Sequence, residues 1–307
     1  MVSQRVAMKG KKKMSVQYKK AGDRVFVIVN TLLLTGLLLG FIYPLLYQVA
    51  ISFSSARAVS ARKVFLWPVE FSLESYKQVF MTGKVIRAYG NTIVYTLVGT
   101  VLQLLGTTLL AYPLSKKRLR GRRVFAFLFY FTNIFNGGMI PTFLVVKGLG
   151  MMNTLWALVV PGMVSVYYGI VLRTNFEAIP IELEEAATID GMRDEGVLVR
   201  IYVPLSKAIY ASLALFFAVG IWNAYVQPLI YLNDDTMYPL QILLRTIVLQ
   251  GSLTDLGAGA TNDMDIATNS DTMKAACMMV VMLPIMCIYP FVQKYFVKGI
   301  MIGSVKG

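Results

Sequence analysis

Apolar residues run in long blocks broken by short polar punctuation. Six blocks approach or exceed the ~20 residues a helix needs to cross a bilayer core of ~30 Å. They lie at about residues 25–53, 90–114, 124–146, 154–172, 209–232 and 273–296. The pattern predicts an all-α integral membrane protein with six transmembrane helices. Pro161-Gly162 predicts a kink or break in the fourth span, which lipid tolerates only where other helices or water satisfy the freed carbonyls. Gly36 and Gly40 form a small-xxx-small face suited to close helix packing.

Between the fourth and fifth blocks the pattern changes. The stretch EEAATIDGMRDEGVLVRIYVPLSKA (184–208) is acidic, helix-prone and too polar to cross a bilayer. Pro180 suits a first helical position, and Glu182, Glu184 and Glu185 suit first turns, where the helix dipole favours anions. Leu183, Ala186, Ala187 and Asp190 share one small, smooth face. Gly191 permits a turn that a side chain would hinder. A second helical piece over 192–202 is expected to carry Val197, Leu198 and Ile201 towards the bilayer, with Pro204 at the re-entry. On the residues alone, this segment is either an amphipathic linker on the membrane surface or a docking helix for another protein.

Composition agrees with the spans. The 307 residues are 56% hydrophobic and 15% charged, against about 25% charged in soluble domains, and mean hydropathy is +0.61. The net charge of +14 does not call for nucleic acid. Its clusters, at 9–24 and in SKKRLRGRR (115–123), flank apolar blocks, where basic residues retain loops in the cytoplasm. Six crossings then place 173–208 and the tail inside and 233–272 outside. The basic first outer loop, 54–89, with Arg57, Arg62, Lys63, Lys77, Lys84 and Arg87, runs against this orientation but is outweighed. The first apolar run is far longer than the ~7–15 residues of a cleavable signal, so Ala56-Arg57-Ala58 is not read as a processing site. The chain divides into a cytoplasmic basic N-terminus (1–24), a transmembrane domain (25–296) and a cytoplasmic tail (297–307).

Several chemistries are excluded. Without histidine there is no imidazole base or catalytic triad, and zinc loses its commonest nitrogen ligand. Cys277 and Cys287 sit in the last apolar block and read as buried thiols rather than a disulfide. Asp263-Met264-Asp265 resembles the start of a calcium loop but lacks its glycine and terminal glutamate, so a solvated connector is expected. No GxxxxGK[ST] phosphate loop occurs, so no metal or cofactor is expected in this chain. The spans contain no Asp, Glu or His, which argues against the alternative of an ion-gradient-driven secondary transporter. Asn133, Asn136, Trp222, Asn223 and Gln227 are candidates to line a translocation path, with interhelical hydrogen bonding as the competing role.

The spacing Glu185-Ala186-Ala187, Gly191, Ile201, Val203-Pro204 resembles the "EAA" loop of bacterial ABC importer permeases, with only its usual leucine replaced by Val203. Residues 135–162, 221–234, 238–245 and 289–307 are similar to MalG-type subunits of carbohydrate importers. Within that branch the chain most resembles the LplC/YtcP-like polysaccharide and complex-sugar permeases, to which alginate importers are similar. The resemblance implies a non-catalytic type I permease of the bacterial cytoplasmic membrane, with both termini inside. It also implies a second permease subunit, a cytoplasmic ATPase dimer that binds ATP and Mg, and an extracytoplasmic solute-binding protein. Residues 182–196 would form a coupling helix in an ATPase cleft, through Glu185, Ala186, Ala187, Asp190 and Gly191, with Gly303–Gly307 as a weaker second contact. The implied cargo is an oligo- or polysaccharide, alginate or another acidic sugar among them.

Overall fold

The structure, a computed structural model, describes residues 21–81, 83–250, 271–284 and 286–287. Most of the basic N-terminus, the part of the connector with Asp263 and Asp265, most of the second half of the sixth block and the tail lie outside the described residues. Among the described residues the architecture is helical, with one isolated antiparallel bridge between Ser54 and Phe71.

Two helices are each long and apolar enough to cross a membrane. Helix α1 (Ala21–Ser52) has 32 residues, about 48 Å at 1.5 Å per residue. Its apolar side chains are exposed through most of its length, and only Ala50 and Ile51 near its end join a small core with Ala58, Val64 and Ala275. A Cβ at Gly36 or Gly40 would meet nothing within 4 Å, so their small face is unused among the described residues. Short helices α2 (Ala56–Ser60) and α3 (Glu74–Met81) follow.

Helix α4 (Lys84–Ser115) is the organising element, because its glycines admit neighbours at van der Waals distance or closer. A Cβ at Gly106 would lie 2.6 Å from the Met163 carbonyl oxygen, and one at Gly99 would lie 2.7 Å from Ile221 Cδ1. Small residues let helix backbones approach in this way where lipid supplies no hydrophobic drive.

The third, fourth and fifth expected spans are bent. The third was expected as one run over 124–146; it is instead α5 (Arg122–Ile134) and α6 (Met139–Gly148), turned by 113°. The cause is local: Asn136 Oδ1 accepts the Gly138 N–H at 2.9 Å, and Gly138 takes φ +87°. The fourth is broken as Pro161-Gly162 predicts. Helix α7 (Leu155–Val159) and a 3₁₀ turn (Val160–Gly162) meet α8 (Val166–Glu177) at 53°. After it come α9 (Ile181–Ile189), α10 (Asp194–Val197), a π-helical turn (Leu198–Tyr202) and α11 (Val203–Leu205). Helix α12 (Lys207–Trp222) departs from that run at 84°. The fifth block therefore ends at Trp222, and α13 (Val226–Tyr231) is a separate piece. Helix α14 (Leu240–Gln250) and α15 (271–284) complete the described chain.

Two cores mark the ends of α4. At its start, Val85 and Ala88 pack with Val79, Leu240, Ile247, Ala276 and Cys277. At its finish, Ala111 and Tyr112 pack with Leu172, Phe176, Ala187, Val197, Tyr202, Leu213 and Phe217. Val197 is thus turned into the protein, with Leu198 and Ile201 packed against the same cluster, rather than directed to the bilayer.

Candidate functional site

Helix α9 stands at the Ser115 end of α4. Pro180 sits one position before the helix, with extended ψ of 132°, rather than inside its first turn. The helix closes on a complete glycine cap: Gly191 N–H donates to the Thr188 carbonyl at 3.0 Å, and Met192 N–H to Ala187 at 2.9 Å. This is the Schellman pattern, which requires a left-handed residue after the cap, and Gly191 has φ +79°. Ala187 faces inward at 6% exposure, whereas Glu185, Ala186, Asp190 and Gly191 are exposed. Ile189 projects beside them at 86% exposure.

The inward face of α9 holds a residue with no counterpart in the expected site. Glu184 is 8% exposed. Its Oε2 accepts from Lys116 Nζ at 2.5 Å and from the Tyr202 hydroxyl at 2.8 Å, while Arg118 lies 3.3 Å from Oε1. Arg118 also pairs with Asp194, and the Tyr112 hydroxyl donates to the Asp194 carbonyl at 3.2 Å. The Lys116 ammonium sits over the rings of Tyr202 (3.6 Å) and Tyr112 (4.3 Å), a favourable cation–π placement. Burial pushes the Glu184 carboxyl up, but the hydrogen bonds from Lys116 and Tyr202 and the charges of Lys116 and Arg118 outweigh it. The net shift is below the ordinary value, so the group is held ionised.

A cavity of about 730 Å³ opens midway along the helices. Thr92, Tyr95 and Gln103 of α4, Asn136, Thr142, Ser165, Tyr168, Gln227 and Tyr231 contribute polar atoms to an otherwise apolar wall. Towards Lys84, α4 is tied to residues 236–240: the Asn91 side-chain amide donates to the Thr236 carbonyl at 2.8 Å, Tyr95 to Met237 at 2.8 Å, and Leu240 N–H to Thr92 Oγ1 at 2.9 Å. Of the five candidate path residues, Asn136 and Gln227 reach the cavity. Asn133 is exposed on α5, and Asn223 caps α12 through the Val219 carbonyl at 2.9 Å. Trp222 packs against the core at the start of α4, and its indole N–H is buried without a partner among the described residues. No cluster of metal-ligating side chains occurs among the described residues.

Comparison with known proteins identifies this architecture. The sequence profile of the binding-protein-dependent transport system inner membrane component family matches residues 103–302. The chain belongs to this family. Protein LplC of Bacillus subtilis (strain 168) is 43% identical over 94% of this chain and 97% of its own length. The polygalacturonan/rhamnogalacturonan transport system permease protein YtcP of the same organism is 39% identical, over 90% and 98%. A chain from the crystal structure of a bacterial ABC transporter involved in the import of the acidic polysaccharide alginate superposes with a TM-score of 0.83. It is 34% identical, and the match covers 91% of this chain and 99% of that one. The fold is that of an ABC importer permease.

Two features of this permease were missed in the residue pattern. Gln103 lies mid-span in α4, and a polar residue at that depth was itself a signal. Glu184 gave no signal beyond a favourable first turn, because its partner Lys116 is 68 residues away.

Proposed function

We propose that this chain is the membrane permease subunit of an ATP-driven, binding-protein-dependent importer of an acidic oligo- or polysaccharide. It works in a bacterial cytoplasmic membrane with both termini inside. It pairs with a second permease subunit, and a separate ATPase dimer, which binds ATP and Mg, docks on the exposed face of residues 182–196. An extracytoplasmic binding protein delivers the sugar.

The observation that carries this reading is the capped α9 knuckle. Its exposed Glu185, Ala186, Asp190 and Gly191 offer a small surface that a cleft can enclose, with carboxylates at its edge for charge-assisted hydrogen bonds. Closure of the ATPase dimer draws two such knuckles together, and the permease pair alternates between inward- and outward-open states by rigid-body movement. The driving energy is the difference in ATP affinity between those states. Asn136 and Gln227, joined by Gln103, supply neutral carboxamides that donate to and accept from sugar hydroxyls. An acidic cargo is carried over from the relatives named for polygalacturonan/rhamnogalacturonan and the acidic polysaccharide alginate.

The test is reconstitution in nanodiscs with the cognate permease, ATPase and binding protein, followed by ATPase assays with neutral and acidic oligosaccharides. Stimulation by the binding protein loaded with an acidic oligosaccharide is expected. Failure of any ATPase to associate, or activity indifferent to every saccharide, refutes the proposal.

A further inference from the structure

We infer that Glu184 is the positioning residue that locks the coupling segment onto α4. Helix α4, which shares a packed core with the segment, α8 and α12, then carries its movement to the cavity by polar contacts as well as packing. The inference rests on the proposed docking of an ATPase at α9.

The covalent connections of the segment are joints. It leaves α8 through Ala178 and Ile179 and enters α9 over Pro180, whose ψ of 132° is extended. At its other end a π-helical turn leads to Ser206, where the chain swings 84° into α12. Neither link transmits a push along a continuous helix axis.

The connections through space are different. Three pieces of the segment hold the last turn of α4 or the residues directly after it. From α9, Glu184 grips Lys116 and faces Arg118; from the π-helical turn, Tyr202 donates to the same carboxylate; from α10, Asp194 takes Arg118 on its side chain and Tyr112 on its carbonyl. Along the same unbroken helix, Thr92, Tyr95 and Gln103 stand on the cavity wall. A displacement of α9 is therefore delivered to the wall through α4. A buried ion pair is a weak device for stability alone, since apolar side chains of similar volume often serve as well or better. Its directional contacts are suited to fixing register.

The experiment compares four permeases in the complete importer in nanodiscs: wild type, Glu184→Gln, Lys116→Met, and the double variant. Tyr202→Phe, which removes one hydrogen bond without stranding a charge, is the fifth. ATPase co-purification and the half-saturating concentrations of ATP and binding protein are expected to stay at wild-type values. Maximal binding-protein-stimulated ATPase is expected to fall about 10-fold in the charge variants, within the range of coupling effects, and by less in Tyr202→Phe.

The double variant separates locking from charge burial, because it strands neither charge. Stimulation that stays low in the double variant supports the lock. Stimulation restored there overturns it, as does full stimulation in Glu184→Gln. Loss of ATPase attachment in Tyr202→Phe and the double variant also overturns it, since the network would then belong to the docking surface. A wild-type complex without stimulated ATPase would instead refute the proposed function itself.

Discussion

Substituting Gly191 separates two reasons why glycine stands there. The residue has φ +79°, and a Cβ built on it meets nothing within 4 Å among the described residues. The cost of a side chain is therefore conformational. A left-handed L-residue costs about 1–2 kcal/mol, and alanine recovers about 0.4–1 kcal/mol by restricting the unfolded chain. The net is about 1 kcal/mol, about a fivefold change in the population of the capped turn, since about 1.4 kcal/mol is one decade. Escaping the strain by opening the turn would forfeit the hydrogen bonds to Thr188 and Ala187, at about 1 kcal/mol each. Asparagine tolerates the left-handed region, whereas a β-branched residue there is a true outlier. The expected order of binding-protein-stimulated ATPase is therefore Gly close to Asn, then Ala, then Val, with melting temperatures of the purified permease in the same order. Refutation would be Gly191→Asn as damaging as Gly191→Val: loss would then follow side-chain size, and the space would belong to a partner.

Other expectations follow from single contacts. Gly106→Ala drives a Cβ against the backbone oxygen of Met163 and should cost about 1–3 kcal/mol as overpacking. Gly99→Ala clashes with the movable end of Ile221 and otherwise makes ordinary contact with Val159; it should cost less, both read as melting temperature in detergent. Gln103→Leu and Gln227→Leu each remove a polar atom from the cavity wall. Sugar uptake should fall several-fold, at about 1 kcal/mol per lost hydrogen bond, while Asn133→Leu leaves it unchanged. The Glu184 carboxyl is held below its ordinary value. Its stabilisation is therefore complete above the unfolded carboxylate pKa of about 4.3 and is lost as pH falls through its own lower value. In melting curves against pH, the wild type should lose stability on the acid side by a component that Glu184→Gln lacks.

The parts of the permease legible in the sequence are those whose causes are local. Pro161-Gly162 breaks a helix by removing a donor and a side chain within two positions, and Gly191 caps one by its own φ. The break at Asn136-Gly137-Gly138 is not legible in the hydropathy, because three residues barely lower the mean of a block of twenty-three. Its effect depends on an asparagine side chain turning back to Gly138. That same bend separates Asn133 from Asn136, three positions apart, so that only the second reaches the cavity. Lys116 was counted with the basic cluster that sets membrane orientation. Nothing near it in the chain distinguishes it from Lys117, which is exposed, whereas Lys116 is 8% exposed. Pairings between distant segments are set by packing, and single-chain pattern carries no record of them.

The Lys116–Glu184 contact also constrains membrane topology. Two residues 2.5 Å apart occupy the same side of a bilayer. The chain between them must therefore cross an even number of times, whatever path its bent segments take. The α5–α6 pair, turned by 113°, can be a full crossing only if α7–α8 returns; if one is re-entrant, so is the other. A single interatomic distance thus fixes the parity of the middle of the permease, where hydropathy alone leaves each bent pair open to either assignment.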